Sequence, residues 1–262
     1  MASRIEEKER AREARLAAEA ADRRAQARRA NLIRLGLVVA LAAIAVVAVV
    51  LASGGGKSKT VAGGSRGEQR TAVGGLFSGL PQRGTQIGNP KAPYTLTEFA
   101  DLQCPVCQAY TLNVLPSVIG SYVKPGRVKM DLKLRTFIGP DSVKAARVAA
   151  AAAQQNRIWT FADLFYINQG EENSGYVTPA FLRTIASNTP GLNASKAIAD
   201  AGSAQAQALL RSAEQLARSL GSNSTPDFYL RKGDSGRLVR VRWSELTPAA
   251  FKAALDRAIA QA

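Results

Sequence analysis

Histidine is absent from all 262 residues. That excludes a Ser-His or Cys-His nucleophile pair, an imidazole metal site and a histidine proton shuttle. Cysteine occurs twice, three positions apart. Two cysteines without histidine cannot close a four-ligand zinc site from soft ligands within one chain, and they cannot build a disulfide framework of the small secreted kind. Acidic residues are also scarce: 20 Asp and Glu face 35 Lys and Arg, a formal charge of +15. Aromatic residues make up 6% and are nowhere interleaved with the basic ones, so a nucleic-acid surface is not expected. The excess charge is spread along the chain and reads as solvated surface. A hydrophobic content of 46% is ample for a core and excludes wholesale disorder.

Much of that content sits in one block. Residues 35–52, LGLVVALAAIAVVAVVLA, run 18 positions without a charge. At about 1.5 Å per residue such a helix spans roughly 27 Å, enough for a single transmembrane pass. A cleaved signal peptide is the rival, since Val50-Leu51-Ala52 before Ser53 resembles a cleavage site. The preceding 34 residues are long for a signal peptide, which favours a retained anchor. Arg15, Arg23, Arg24, Arg28, Arg29 and Arg34 precede the span, against Lys57, Lys59, Arg66 and Arg70 after it. The bias sets the N-terminus in the cytoplasm and the rest outside. Residues 1–34 read as a solvated basic helix rich in Ala, Glu and Arg, with Glu6–Arg10 and Glu19–Arg23 at helical spacing. Residues 53–88 are rich in Gly and Ser and read as a flexible tether. The folded domain is expected over residues 89–262.

Within it, residues 94–100 (YTLTEFA) read as a strand whose parity groups Glu98 with Tyr94 and Leu96. Residues 104–122 read as a loop turning into a helix, with Pro105 in its first turn. Residues 128–135 alternate strictly, the pattern of a half-buried strand. These form a βαβ unit. Helices follow over 141–155, 158–168, from Thr178-Pro179, and over 203–220 up to Gly221. Trp159, Phe161 and Phe165 read as core of this block, and residues 168–176 as a helix–helix loop. Short strands at 228–231 and 238–242 are joined by hairpin chemistry, and Thr247-Pro248 caps a last helix. Without the helical block at about 139–221, the order is that of a thioredoxin fold.

Cys104-Pro105-Val106-Cys107 is the one evident chemical site. At i, i+3 on a helix start the side chains share a face at disulfide distance. Free N–H groups and the helix dipole favour thiolate there, and a lower thiol pKa makes a better leaving group. A structural disulfide, a zinc site shared between two chains and a pair of inert buried thiols remain as other readings.

FADLQCPVCQAY after a strand, GPDSVKAARVA after the next, NQGEENSGYVT, and Ser224-Thr225-Pro226-Asp227-Phe228 together resemble the DsbA-like thiol–disulfide oxidoreductases, notably the membrane-tethered bacterial members. The resemblance covers about residues 88–262. It implies an α/β thioredoxin fold with an inserted helical domain. It makes Cys104 the exposed nucleophile and Cys107 its buried partner. Thr225-Pro226 matches the family's cis-proline loop, which offers backbone to substrate. Glu98 matches the acidic residue beneath the active site, where an inward carboxyl relays the Cys107 proton. The DsbA type member carries histidine where this chain has Val106. An apolar residue donates no hydrogen bond to sulfur, so a less oxidising pair is expected.

The resulting expectation is a membrane-anchored enzyme, acting outside the cytoplasm, that oxidises protein thiols. A reductase or isomerase is the first alternative, and a tethered peptide-binding or chaperone module with a structural CxxC the second. The resemblance implies a membrane quinone reductase of the DsbB or vitamin K epoxide reductase type as partner. It implies no metal or organic cofactor. No dimerisation segment is visible, and a monomer is expected.

Overall fold

The computed structural model describes residues 75–262. The basic segment 1–34, the apolar run 35–52 and the first part of the tether lie outside the described residues. Among the described residues no helix is long and apolar enough to cross a membrane.

Among the described residues six strands form one sheet, in the order β1-β2-β4-β3-β5-β6. They are β1 (Gln82–Arg83), β2 (Gln86–Ile87), β3 (Tyr94–Ala100), β4 (Val128–Leu134), β5 (Asp227–Lys232) and β6 (Val239–Arg240). β3 and β4 run parallel, from Tyr94 opposite Val128 to Ala100 opposite Leu134; every other pairing is antiparallel. Eight α-helices accompany the sheet among the described residues. α1 (Pro105–Asn113) and α2 (Leu115–Val118) link β3 to β4. α3 (Pro140–Gln154), α4 (Ile158–Ile167), α5 (Pro179–Asn188), α6 (Ala194–Ala199) and α7 (Ala204–Ser219) lie between β4 and β5. α8 (Pro248–Gln261) closes the chain.

Two expectations need correction. The tether does not extend to residue 88. Gln82–Ile87 is a hairpin that pairs with β4, and Phe77 is buried in the core. Long-range bonds fix this stretch: Trp159 Nε1 donates to Thr85 O at 2.8 Å, Gln82 Nε2 to Thr160 Oγ1 at 2.8 Å, and Gly84 N to Asn156 Oδ1 at 2.7 Å. The helix read over 104–122 is also interrupted. It breaks at Val114, ahead of Pro116, which has no N–H to continue the ladder, and resumes as α2 and a wide π turn over Ile119–Val123.

The strand β4 buries Val128, Met130, Leu132 and Leu134 while Lys129, Asp131 and Lys133 are partly exposed, as its alternation requires. β3 is different, for it is covered on both faces. On one, Leu96 and Glu98 lie beside Leu132 and Phe228. Tyr110 of α1 and Phe251 of α8 stack on Phe228, at 4.6 and 4.8 Å between ring centroids. On the other, Phe99 and Tyr229 pack against Ala217 and Leu216 of α7 and Leu220 just after it. The alanine-rich α3 is buried along most of its length against its neighbours, where small side chains permit close helix approach. Hydroxyl N-caps start α5, α7 and α8: Thr178, Ser203 and Thr247 accept from Phe181 N, Ala206 N and Ala250 N at 3.1, 3.2 and 3.2 Å.

Candidate active site

Cys104 is the N-cap of α1, with Pro105 as the first helical residue. Its Sγ accepts from Cys107 N at 3.4 Å, the bond a cap oxygen would make. The turn leading in is held from below. Asp101 Oδ1 accepts from Gln103 N at 2.9 Å, and Cys104 N donates to Asp101 O at 2.9 Å. The helical insertion supplies the rest of the clamp. Tyr166 donates to Asp101 O at 3.2 Å, and Gln169 Nε2 donates to Leu102 O at 2.7 Å. Gln103 Nε2 donates to Tyr176 at 3.0 Å, and Gln103 Oε1 accepts from Asn173 N at 3.1 Å. The sequence reading missed these residues as site elements. For Gln169, Asn173 and Tyr176 the stretch NQGEENSGYVT was the available signal.

The two cysteines are unequal. Cys107 is wholly buried on the inner side of α1; Cys104, expected to be exposed, is itself largely covered, 6% exposed at the helix tip beneath the Thr225 loop. Cys104 Sγ donates to the carbonyl of Thr225 at 3.3 Å, and the Thr225–Pro226 peptide is cis. The loop expected to face the cysteines therefore does so. Val106, between the cysteines, is 46% exposed and apolar. The cysteines are free thiols in this structure.

The electrostatics follow from these positions. A hydrogen bond from the Cys107 thiol pulls the Cys104 thiol down to about 6; burial opposes this, while the Thr225 side chain and the N–H groups of Cys107 and Val106 assist. Burial pushes the Cys107 thiol well above its usual range, and the neighbouring Cys104 adds to the rise. The sequence parity argument turned Glu98 inward, and it is 2% exposed in the sheet interior. Burial alone raises its carboxyl to about 8, and its charge in turn raises Cys107. Low-pKa thiol outside, high-pKa thiol inside and a protonated carboxyl below form a constellation suited to thiol–disulfide exchange. Among the described residues no group of three His, Cys, Asp or Glu side chains could hold a metal. Beside Pro226 an open groove of about 340 Å³ is lined by Ser224, Arg240, Arg242 and Trp243.

A cysteine pair capping the helix between two parallel strands, opposed by a cis-proline loop, defines a redox-type thioredoxin fold with a helical insertion. The chain belongs to the thioredoxin family: the family's model, described as Thioredoxin, matches residues 82–257. Disulfide bond formation protein D of Bacillus subtilis is 28% identical over 109 residues, covering 39% of this chain and 47% of that protein. The chain thus spans about half the length of this relative. Among solved structures, oxidised BdbD from Bacillus subtilis matches with a TM-score of 0.58 and 19% identity, over 70% of this chain and 98% of that one. A thioredoxin-like oxidoreductase from Silicibacter pomeroyi matches with a TM-score of 0.53 and 27% identity, over 71% and 97%.

Proposed function

We propose that the protein is a membrane-tethered thiol–disulfide oxidoreductase that oxidises protein thiols outside the cytoplasm through Cys104 and Cys107. The observation that carries the redox reading is the asymmetry of the pair: a tip thiol at about 6 facing a cis-proline loop, over a partner held far higher. In the oxidised protein a substrate thiolate attacks Cys104 sulfur. The Cys104–Cys107 bond breaks, a substrate–Cys104 disulfide forms, and Cys107 leaves with the electron pair. Glu98, protonated at neutral pH, gives it a proton. A second substrate thiolate then attacks the substrate sulfur and expels Cys104 as a stable thiolate. The substrate loses two electrons and the protein gains them. Electrons pass between sulfurs, so the exchange calls for no metal or organic cofactor. Extended substrate backbone pairs with the Thr225-Pro226 loop, and the groove beside Pro226 receives its side chains.

The tether and orientation rest on the apolar run 35–52 and its basic flank. Reoxidation falls to a membrane quinone reductase of the DsbB or vitamin K epoxide reductase type, an inference from the DsbA-like resemblance. The exposed Val106 favours one second reading, a reductase, because its side chain gives the Cys104 thiolate no hydrogen bond. The test is the equilibrium of the full-length pair with glutathione buffers. A potential between about −120 and −180 mV is expected of a disulfide donor; one near −270 mV establishes the reductase. A pair that neither reduces nor reoxidises in the native protein overturns both.

A further inference from the structure

Below the cysteine pair lies a cavity of about 10 Å³, room for a single water. Glu98 of β3 and Asp163 of α4 both line it, with Thr111, Trp159 and Tyr166, and Phe77 of the N-terminal segment on its wall. Thr111 stands one helical turn beyond Cys107, so the cavity reaches the face of α1 that carries the inner cysteine.

Asp163 has no part in the chemistry described so far, and its position is costly. It is 5% exposed in a helix whose other buried side chains, apart from Thr160, are apolar or aromatic. Among the described residues neither it nor Glu98 has a hydrogen-bond partner. Two of the polar tips nearby are engaged elsewhere: Trp159 Nε1 donates to Thr85 O, and the Tyr166 hydroxyl to Asp101 O. Among the described residues no lysine or arginine lines the cavity. Two unpaired carboxyls in so small a space are relieved by a shared water and by keeping protons.

We propose that Asp163 and Glu98 form a water-bridged carboxyl pair, in which Asp163 resupplies the proton that Glu98 delivers to Cys107. The proposal rests on the redox reading above. When Cys107 leaves as thiolate, the Glu98 O–H bond breaks and its proton goes to Cys107 sulfur. The bridging water protonates the Glu98 carboxylate and takes a proton from Asp163, which is restored from solvent. Reoxidation returns the proton along the same path. Burial raises Asp163 to about 7 and Glu98 to about 8, so both titrate around neutral pH. The other titratable groups here are Cys107 and Tyr110 from α1 and Tyr166 from α4. Burial holds all three neutral well into the alkaline range. Among the described residues, β4 contributes Leu132 to the wall and the segment before β1 contributes Phe77.

Asp163 acts through Glu98, so it is a positioning residue, and its test reads protons as well as rate. The full-length chain in detergent is compared with Asp163→Asn, Glu98→Gln and Asp163→Glu. Infrared difference spectra between pH 6 and 9 follow the protonated-carboxyl band, and stopped-flow fluorescence follows reduction of the oxidised pair by dithiothreitol. In the wild type the band falls across this range; Asp163→Asn removes one component and moves the remaining Glu98 titration to lower pH. The same variant slows reduction about tenfold at pH 7 without moving the Cys104 titration, and Asp163→Glu restores the rate. An unchanged Glu98 titration and pH–rate profile in Asp163→Asn overturns the proposal. Should that variant not fold, a carboxyl band identical in wild type and Asp163→Glu overturns it. A wild-type pair inert to dithiothreitol sinks the redox reading instead, while the infrared arm still reports on the carboxyls.

Discussion

Replacing Glu98 by glutamine is expected to stabilise the reduced protein, by an amount that grows with pH. The side chain is 2% exposed, and burial lifts its carboxyl from 4.5 to about 8. Below pH 4.5 the carboxyl is protonated in both folded and unfolded chains, and its ionisation costs the fold nothing. As pH rises beyond that, the unfolded chain ionises freely while the native state must hold the proton. Stability is therefore lost progressively from pH 4.5 up to about pH 8. At about 1.4 kcal/mol per unit, the loss is about 3 kcal/mol at pH 7 and about 5 kcal/mol above pH 8. Glutamine has nearly the same shape and does not ionise, so Glu98→Gln escapes this loss. Urea denaturation of the dithiol forms at pH 4, 6, 7 and 8 measures it. The two proteins should differ little at pH 4 and by about 3 kcal/mol at pH 7. A gap that stays constant across this range refutes the argument, because it would mean that Glu98 ionises normally in the fold. The same substitution removes the proton donor to Cys107 and should slow disulfide reduction roughly 100-fold at pH 7.

Two further predictions concern the cysteines. The depressed Cys104 thiol contributes stability to the reduced form that is present above pH 9 and lost as pH falls through about 6. At pH 8 it amounts to about 3 kcal/mol, so the reduced protein's margin over the disulfide form should shrink between pH 8 and pH 5, measured by thermal unfolding of both forms. Val106→His introduces at an exposed position a side chain able to donate a hydrogen bond to the thiolate. It should make the pair more oxidising by at least tenfold in its equilibrium with glutathione, about 30 mV; an unchanged constant would show that this position does not reach Cys104 sulfur.

What the sequence disclosed depended on how local each signal was. β4 announced itself because only one face is buried, so its side chains alternate. β3 carries no such pattern, for Thr95, Thr97 and Phe99 are buried as well as Leu96 and Glu98. Parity aimed Glu98 correctly, but the covering by α7 on the far side was invisible. Helix starts at Thr178 and Thr247 were legible from their caps, and Gly221 ends its helix with φ of 64°. The hairpin at Gln82–Ile87 was not, because its two-residue strands sit among glycines and are held by Trp159, Thr160 and Asn156, more than 70 positions away. At the site, the cysteine spacing pointed to the chemistry, while the cis peptide at Thr225–Pro226 came only through family resemblance. The clamp from Tyr166, Gln169 and Asn173 and the burial of Asp163 are tertiary facts. A lone aspartate in a helix reads as a solvated one until the neighbouring elements are in place.

The most direct test of the unequal pair is the pH dependence of alkylation at each cysteine in the reduced full-length protein, resolved by mass spectrometry. Cys104 should react along a single titration centred at about 6, with Cys107 unmodified in the native state through pH 9. Equal reactivity of the two thiols, or a Cys104 titration near 9, would contradict the assignment of Cys104 as the nucleophile and Cys107 as its buried partner.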